Sequence, residues 1–111
     1  MIEYYDPQYY GTETWWKHPL YGFIYTDSIK DFCKEYQAYW VLDVIGSYYP
    51  RFKHYSFLLL SFDVVDGKCK FYIQEDTGLK HIIEQKIDFT DLKVSIRLYY
   101  ENEVICFPSD R

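Results

Sequence analysis

Two residues of this 111-residue chain have the types from which an acid/base site is built: His18, which precedes Pro19, and Asp43, the single charge inside the apolar run 38–46. If the turn carrying His18 packs against the segment carrying Asp43, imidazole and carboxylate form a hydrogen-bonded pair, the beginning of general acid/base chemistry. The same pair also locks a loop onto a helix, and that structural reading is the stronger because a nucleophile is missing. Ser28, Ser47 and Cys33 stand in no nucleophile-elbow context. His54 and His81 sit singly among strand-type residues, so spacing supports no metal site, and neither metal nor cofactor is expected. The five glycines are scattered and form no phosphate-cradling loop.

Cys33, Cys69 and Cys106 are an odd, widely spaced set without a Cys-x-x-Cys pair. With no signal peptide in view, three reduced, inert thiols in a reducing cytosol are the expectation. The apolar stretch Phe57 to Leu60 is strand-sized and no run approaches the length of a membrane span, so none is expected.

Charge and aromatic content point toward binding. A formal charge of −5 argues against a nucleic-acid module that works by neutralising phosphates, because the Lys and Arg residues are scattered singly. It suits a basic partner surface better. Aromatic residues make up 23%, with 14 Tyr, more phenols than a domain of this size can hide with their hydroxyls satisfied. Some of these aromatics then reach the surface. Trp15 and Trp16 are adjacent and seldom both bury fully; Tyr4, Tyr5, Tyr9 and Tyr10 cluster near the start. With Glu3, Asp6 and Glu13 as steering charges, these residues are the candidate partner-binding set.

The elements that must position these groups follow from periodicity. Length bounds the chain to a single domain, 1–111. Residues 1–14 read as a Tyr-rich loop or edge segment, and the residue before Pro19 is driven to extended geometry, placing His18 in a turn. Phe23 to Tyr25 reads as a short strand. Thr26, Asp27 and Ser28 offer N-caps for a helix with Ile29, Phe32, Cys33 and Tyr36 on one face. A break near Gln37 leads into the central helix, apolar nearly all round, with Asp43 on a narrow strip between Tyr39 and Ser47. Gly46 and Ser47 weaken its last turn, and it is expected to end before Pro50, with Tyr48 to Arg51 as loop. The helical part is thus 26–49.

From Tyr55 the period changes to that of strands. Tyr55 to Val65 and Lys68 to Gln74 flank Asp66-Gly67, a two-residue hairpin signal. His81 to Phe89, Val94 to Tyr100 and Glu103 to Phe107 complete the sheet region 55–107, stopped by Pro108. The fold expected is α+β, two N-terminal helices packed on one face of an antiparallel meander of about five strands. Its core holds Trp40, Leu42, Val44, Ile45, Leu58, Leu60, Phe71, Ile73, Ile96 and Leu98.

Several short pieces occur together and in order: Trp16-x-His18-Pro19-Leu20, Tyr25-Thr26, Ala38-Tyr39-Trp40-Val41-Leu42-Asp43, Asp66-Gly67, Ile87-Asp88-Phe89-Thr90-Asp91 and Val104-Ile105-Cys106-Phe107-Pro108. From about Thr12 to Ser109 the chain resembles a family of small uncharacterised proteins of bacteria and of their phages and mobile elements, a domain of unknown function. The chain departs from that pattern in its Tyr-rich N-terminal segment and in Ser28, where a Gly often stands. The resemblance brings no catalytic residues, and it implies a phage or mobile-element protein in the cytoplasm of a bacterial host.

Three function classes are therefore weighed. The first is a non-enzymatic interaction protein that binds and inhibits a host protein, in concrete form an anti-CRISPR acting on an RNA-guided effector nuclease. The second is a small enzyme using His18 and Asp43, or an adaptor without chemistry. The third, a nucleic-acid module stacking bases on its aromatics, is weakened by the charge.

Overall fold

The computed structural model describes residues 4–5, 14–88 and 90–110. Two three-residue strands come first, β1 (Trp15–Lys17) and β2 (Ile24–Thr26), followed by helices α1 (Asp27–Glu35) and α2 (Tyr39–Phe52). Strands β3 (Phe57–Val65), β4 (Lys68–Gln74), β5 (Ile83–Ile87), β6 (Ile96–Glu101) and β7 (Val104–Cys106) follow, and a 3-10 turn covers Pro108–Asp110. The strands form one seven-stranded sheet in the order β1-β2-β7-β6-β3-β4-β5, in which β2 and β7 run parallel and the other neighbours antiparallel. The class is α+β.

This corrects the expected architecture in three respects. The helices are not N-terminal, since β1 and β2 precede them; the sheet is mixed; and it is not a meander, because β6 returns to the far side of β3 instead of pairing with β5. The physical reason lies in β3. Leu58, Leu59, Leu60, Ser61 and Phe62 are all buried, so both faces of this strand are covered, which is the condition of a central strand. In β5, Glu84 and Lys86 are exposed between inward-facing neighbours, and that alternation suits an edge. The connection from β5 to β6 crosses back with Leu92 buried in the core.

Local turn chemistry explains the joints. Asp66 and Gly67 both have positive φ (51° and 74°), the primed turn that matches strand twist. At the end of α1, Gln37 takes φ 52° and the Ala38 N–H reaches back to the Cys33 carbonyl, so the chain closes in a Schellman motif before α2. The β6–β7 hairpin turns through Asn102 and Glu103 at φ 52° and 66°. Glu103 is the strained member, since a left-handed residue with a Cβ costs about 1–2 kcal/mol. Glu103→Gly makes an Asn-Gly turn and is expected to raise stability by about 1 kcal/mol, read as a shift in urea midpoint at unchanged slope.

Helix α2 runs through Pro50 to Phe52, so the expected loop over Tyr48 to Arg51 is the last helical turn. Pro50 donates no N–H to the Gly46 carbonyl, but Phe52 is fully buried against Tyr100 at 5.2 Å and Tyr49 packs on both, which holds the turn in place. Residues Tyr39, Asp43, Ser47 and Pro50, at helical spacing, form the exposed stripe of α2. Its other side meets the sheet through Trp40 on Phe62 and Tyr48 on Phe71. Leu42, Ile45, Leu58, Leu60, Phe71, Ile73, Ile96 and Leu98 are buried in the core, whereas Trp40 and Val44 are only partly covered at its margin. No helix among the described residues is long and apolar enough to cross a membrane.

Candidate interaction surface

The β1–β2 hairpin stands at one end of the sheet, and every residue of β1 is exposed. Trp15 is 56% exposed and Trp16 38%; Leu20, in the hairpin turn, is 77% exposed, and Tyr39, on the first turn of α2, 43%. Trp16 is held in place despite this exposure. Its indole N–H donates to Asp27 Oδ1 at 2.7 Å, and the other carboxylate oxygen takes the Thr14 N–H at 2.9 Å. The Lys30 ammonium lies 4.1 Å from the Trp16 ring centroid and 5.6 Å from that of Tyr39, so one cation joins the two rings. Such a fixed, exposed aromatic loses little entropy when a partner covers it.

His18 and Asp43 do meet: His18 Nε2 stands 3.1 Å from Asp43 Oδ1. The imidazole is buried and stacked on Phe23, while Asp43 is open to solvent. The backbone N–H groups of Leu20 and Tyr21 both point at His18 Nδ1, each at 3.2 Å. Nδ1 therefore carries the lone pair and Nε2–H donates to the carboxylate. With one nitrogen capped by two turn amides and the other by Asp43, the ring offers no free base, and the pair acts as a latch that holds the hairpin turn on α2.

A second contact secures the same latch. A Cβ on Gly46 would lie 2.1 Å from Tyr21 Cδ2 and 2.7 Å from its Cγ, so Gly46 is the seat of the Tyr21 ring rather than a weak point of the helix. Gly46→Ala gains about 1 kcal/mol in helix propensity but forces the base of the ring aside, an overpacking cost of about 1–3 kcal/mol. The net expectation is destabilisation, with hydrogen exchange accelerating first in the β1–β2 hairpin.

On the helix-free face of the sheet, the Tyr4 phenol donates to Asp63 Oδ1 (2.6 Å), Tyr72 donates to Oδ2 (2.7 Å), and Arg97 bonds Ser61, Tyr4 and Tyr72. The Arg97 guanidinium lies 4.4 Å from the Tyr4 ring centroid. Burial, then the bond to Asp63, raises the Tyr4 pKa well above the ordinary phenol range, so it remains a donor. Tyr5 turns to the opposite side, packing on Phe32, Tyr36 and Phe107 while its N–H bonds the Ser95 carbonyl. Tyr4 and Tyr5 are thus clamps within the fold and do not extend the Trp15–Trp16 surface. Glu3, Asp6, Tyr9, Tyr10 and Glu13 lie outside the described residues.

The three cysteines are free and buried, and burial pushes the Cys33 thiol up to about 12 and Cys69 up to about 11, leaving both as inert thiols. His54 packs on Tyr55, and His81 stacks on Tyr72 and bonds Glu84, whose carboxyl is held below its ordinary range by that bond and by Lys70. Sequence reasoning missed Leu20, Asp27, Lys30 and Tyr39 in the surface, and Asp63, Tyr72 and Arg97 in the clamp. The spacing Tyr39, Asp43, Ser47 was the available signal for Tyr39; nothing local marked the others.

Residues 7–111 match a family described as a family of unknown function, DUF6876. No curated protein and no solved structure matches the chain.

Proposed function

Because the chain belongs to DUF6876, a family of unknown function, we propose from its own surface that it is a small non-enzymatic interaction protein that docks on a larger protein around the β1 edge, through Trp16 and Tyr39 on the helix side, Trp15 on the other face and Leu20 in the hairpin turn. The observation that carries this reading is Trp16, exposed yet fixed by Asp27 and Lys30. Interface energy concentrates in a few rigid aromatic anchors, Trp above all. The closed hydrogen bonding of His18 favours binding over acid/base catalysis.

The concrete form we favour is an inhibitor encoded by a phage or mobile element, acting in the cytoplasm of a bacterial host on an RNA-guided nuclease. That choice of partner rests on small size and the charge of −5, which suits the positively charged channel that holds the guide heteroduplex. The docking surface rests on geometry.

Capture from host lysate on the immobilised chain, followed by titration of the captured protein, tests the reading. Inhibition that saturates near one chain per target, unaffected by Asp43→Asn, is expected. Turnover at substoichiometric amounts that is lost with His18→Ala or Asp43→Asn would instead establish the enzyme.

A further inference from the structure

The outer edge of β1 is complementary to itself. The His18 N–H bonds the Phe23 carbonyl, and the register pairs Trp16 with Tyr25 and Lys17 with Ile24. By the alternation of an antiparallel pair, Trp16 then directs its backbone groups toward β2, while Trp15 and Lys17 direct their N–H and C=O groups away from the sheet. Among the described residues no strand lies on that outer side. The opposite edge, β5, is guarded by the exposed charges Glu84 and Lys86, but β1 presents two tryptophans.

We propose that a second copy of this chain pairs its β1 antiparallel to this one, about a twofold axis at Trp16. Only that register satisfies the outward groups of both strands, because Trp15 of each copy then exchanges both backbone hydrogen bonds with Lys17 of the other. The side chains agree with it. Trp15 and Lys17 point to the same helix-free face, so each ammonium meets the other copy's indole, a cation–π pair made twice. Trp16 falls opposite Trp16 at the non-hydrogen-bonded position, where side chains approach most closely and aromatic pairs stabilise most. Lys17 forms no ion pair among the described residues, so the aromatic contact displaces no acidic partner.

This pairing stands whether or not a larger partner exists. If the docking surface proposed above is real, the two uses of β1 compete, and self-pairing withdraws Trp16 from the partner.

Sedimentation velocity on the full chain over a wide concentration range is the first test, and the mass average is expected to double. Trp16→Lys sets two ammonium groups face to face and should weaken the dimer about tenfold or more while the circular dichroism spectrum is retained. Trp16→Cys and Lys17→Cys then read the register under mild oxidation. Position 16 faces itself and should cross-link readily, whereas position 17 faces position 15 and should not. A monomer at every concentration, a dimer indifferent to Trp16→Lys, or equal trapping at 16 and 17 would overturn the proposal. Failure to capture a host protein leaves all three readouts unchanged, so the two readings fail separately.

Discussion

Phe62→Ala is expected to remove about 3–5 kcal/mol, a large share of the roughly 5–15 kcal/mol that holds a domain of this size folded. Phe62 is fully buried in the middle of β3, the strand flanked by both β4 and β6. Its ring lies 4.6 Å from Phe71 and 6.0 Å from Trp40, so truncation opens a cavity where the sheet meets α2. Backbone pairing on both sides prevents the strand from collapsing into that space. Trp40→Ala, by contrast, empties a half-covered site at the margin, and its cost should fall below that of Phe62→Ala although more atoms are removed. Urea melts of the two variants check the order.

Asp110→Ala is expected to cost about 2–4 kcal/mol, an unusual effect for a surface-proximal residue. Its Oδ2 takes the hydroxyl protons of Thr26 (2.8 Å) and Ser28 (2.5 Å) and the Phe107 N–H (2.9 Å). Hydrogen bonds to a charged group contribute about 1.5–3 kcal/mol each and do not add fully when they share one acceptor. Thr26 and Ser28 are nearly fully buried, so removing the carboxylate leaves their hydroxyls with only each other. The loss falls where β2 enters α1, and Asp110→Asn, which keeps an acceptor oxygen, should retain part of it. Thermal unfolding of both variants, with helix content followed separately, measures this.

Local features were readable in the amino-acid order because local physics determines them. Asp66-Gly67 specified its hairpin, the break at Gln37 follows from the change between an amphipathic and an apolar helix, and period-2 burial picked out the core side of β4 and β6. The topology was not readable in the same way. Strands of three residues such as β1 and β2 carry no usable alternation, and β2 becomes a strand of the sheet only because β7, far along the chain, lies parallel to it. The apolar run at the start of β3 suits a central strand, but the expected meander left this strand at the end of the sheet, and placing β6 beside it required knowing where Leu92 goes.

The site divides in the same manner. His18 and Asp43 were legible as a pair from residue types and context. What makes the pair a latch, two turn amides on Nδ1 and a ring seated on Gly46, exists only once the hairpin is folded against α2. Tyr4 and Tyr5 looked like surface aromatics by composition and are clamps by geometry. Asp27 reads locally as a helix first-turn carboxylate, but its second role, fixing the Trp16 indole, depends on the β1–β2 register.

The central claim, docking through Trp15 and Trp16, is tested most directly by calorimetric titration of the captured partner with the wild-type chain and with the Trp15→Ala/Trp16→Ala variant. Both chains should first be shown to melt cooperatively. Saturation near one chain per partner is predicted, with affinity reduced roughly 30-fold or more in the variant, the loss of at least one hot-spot anchor. Equal affinities for the two chains would contradict it.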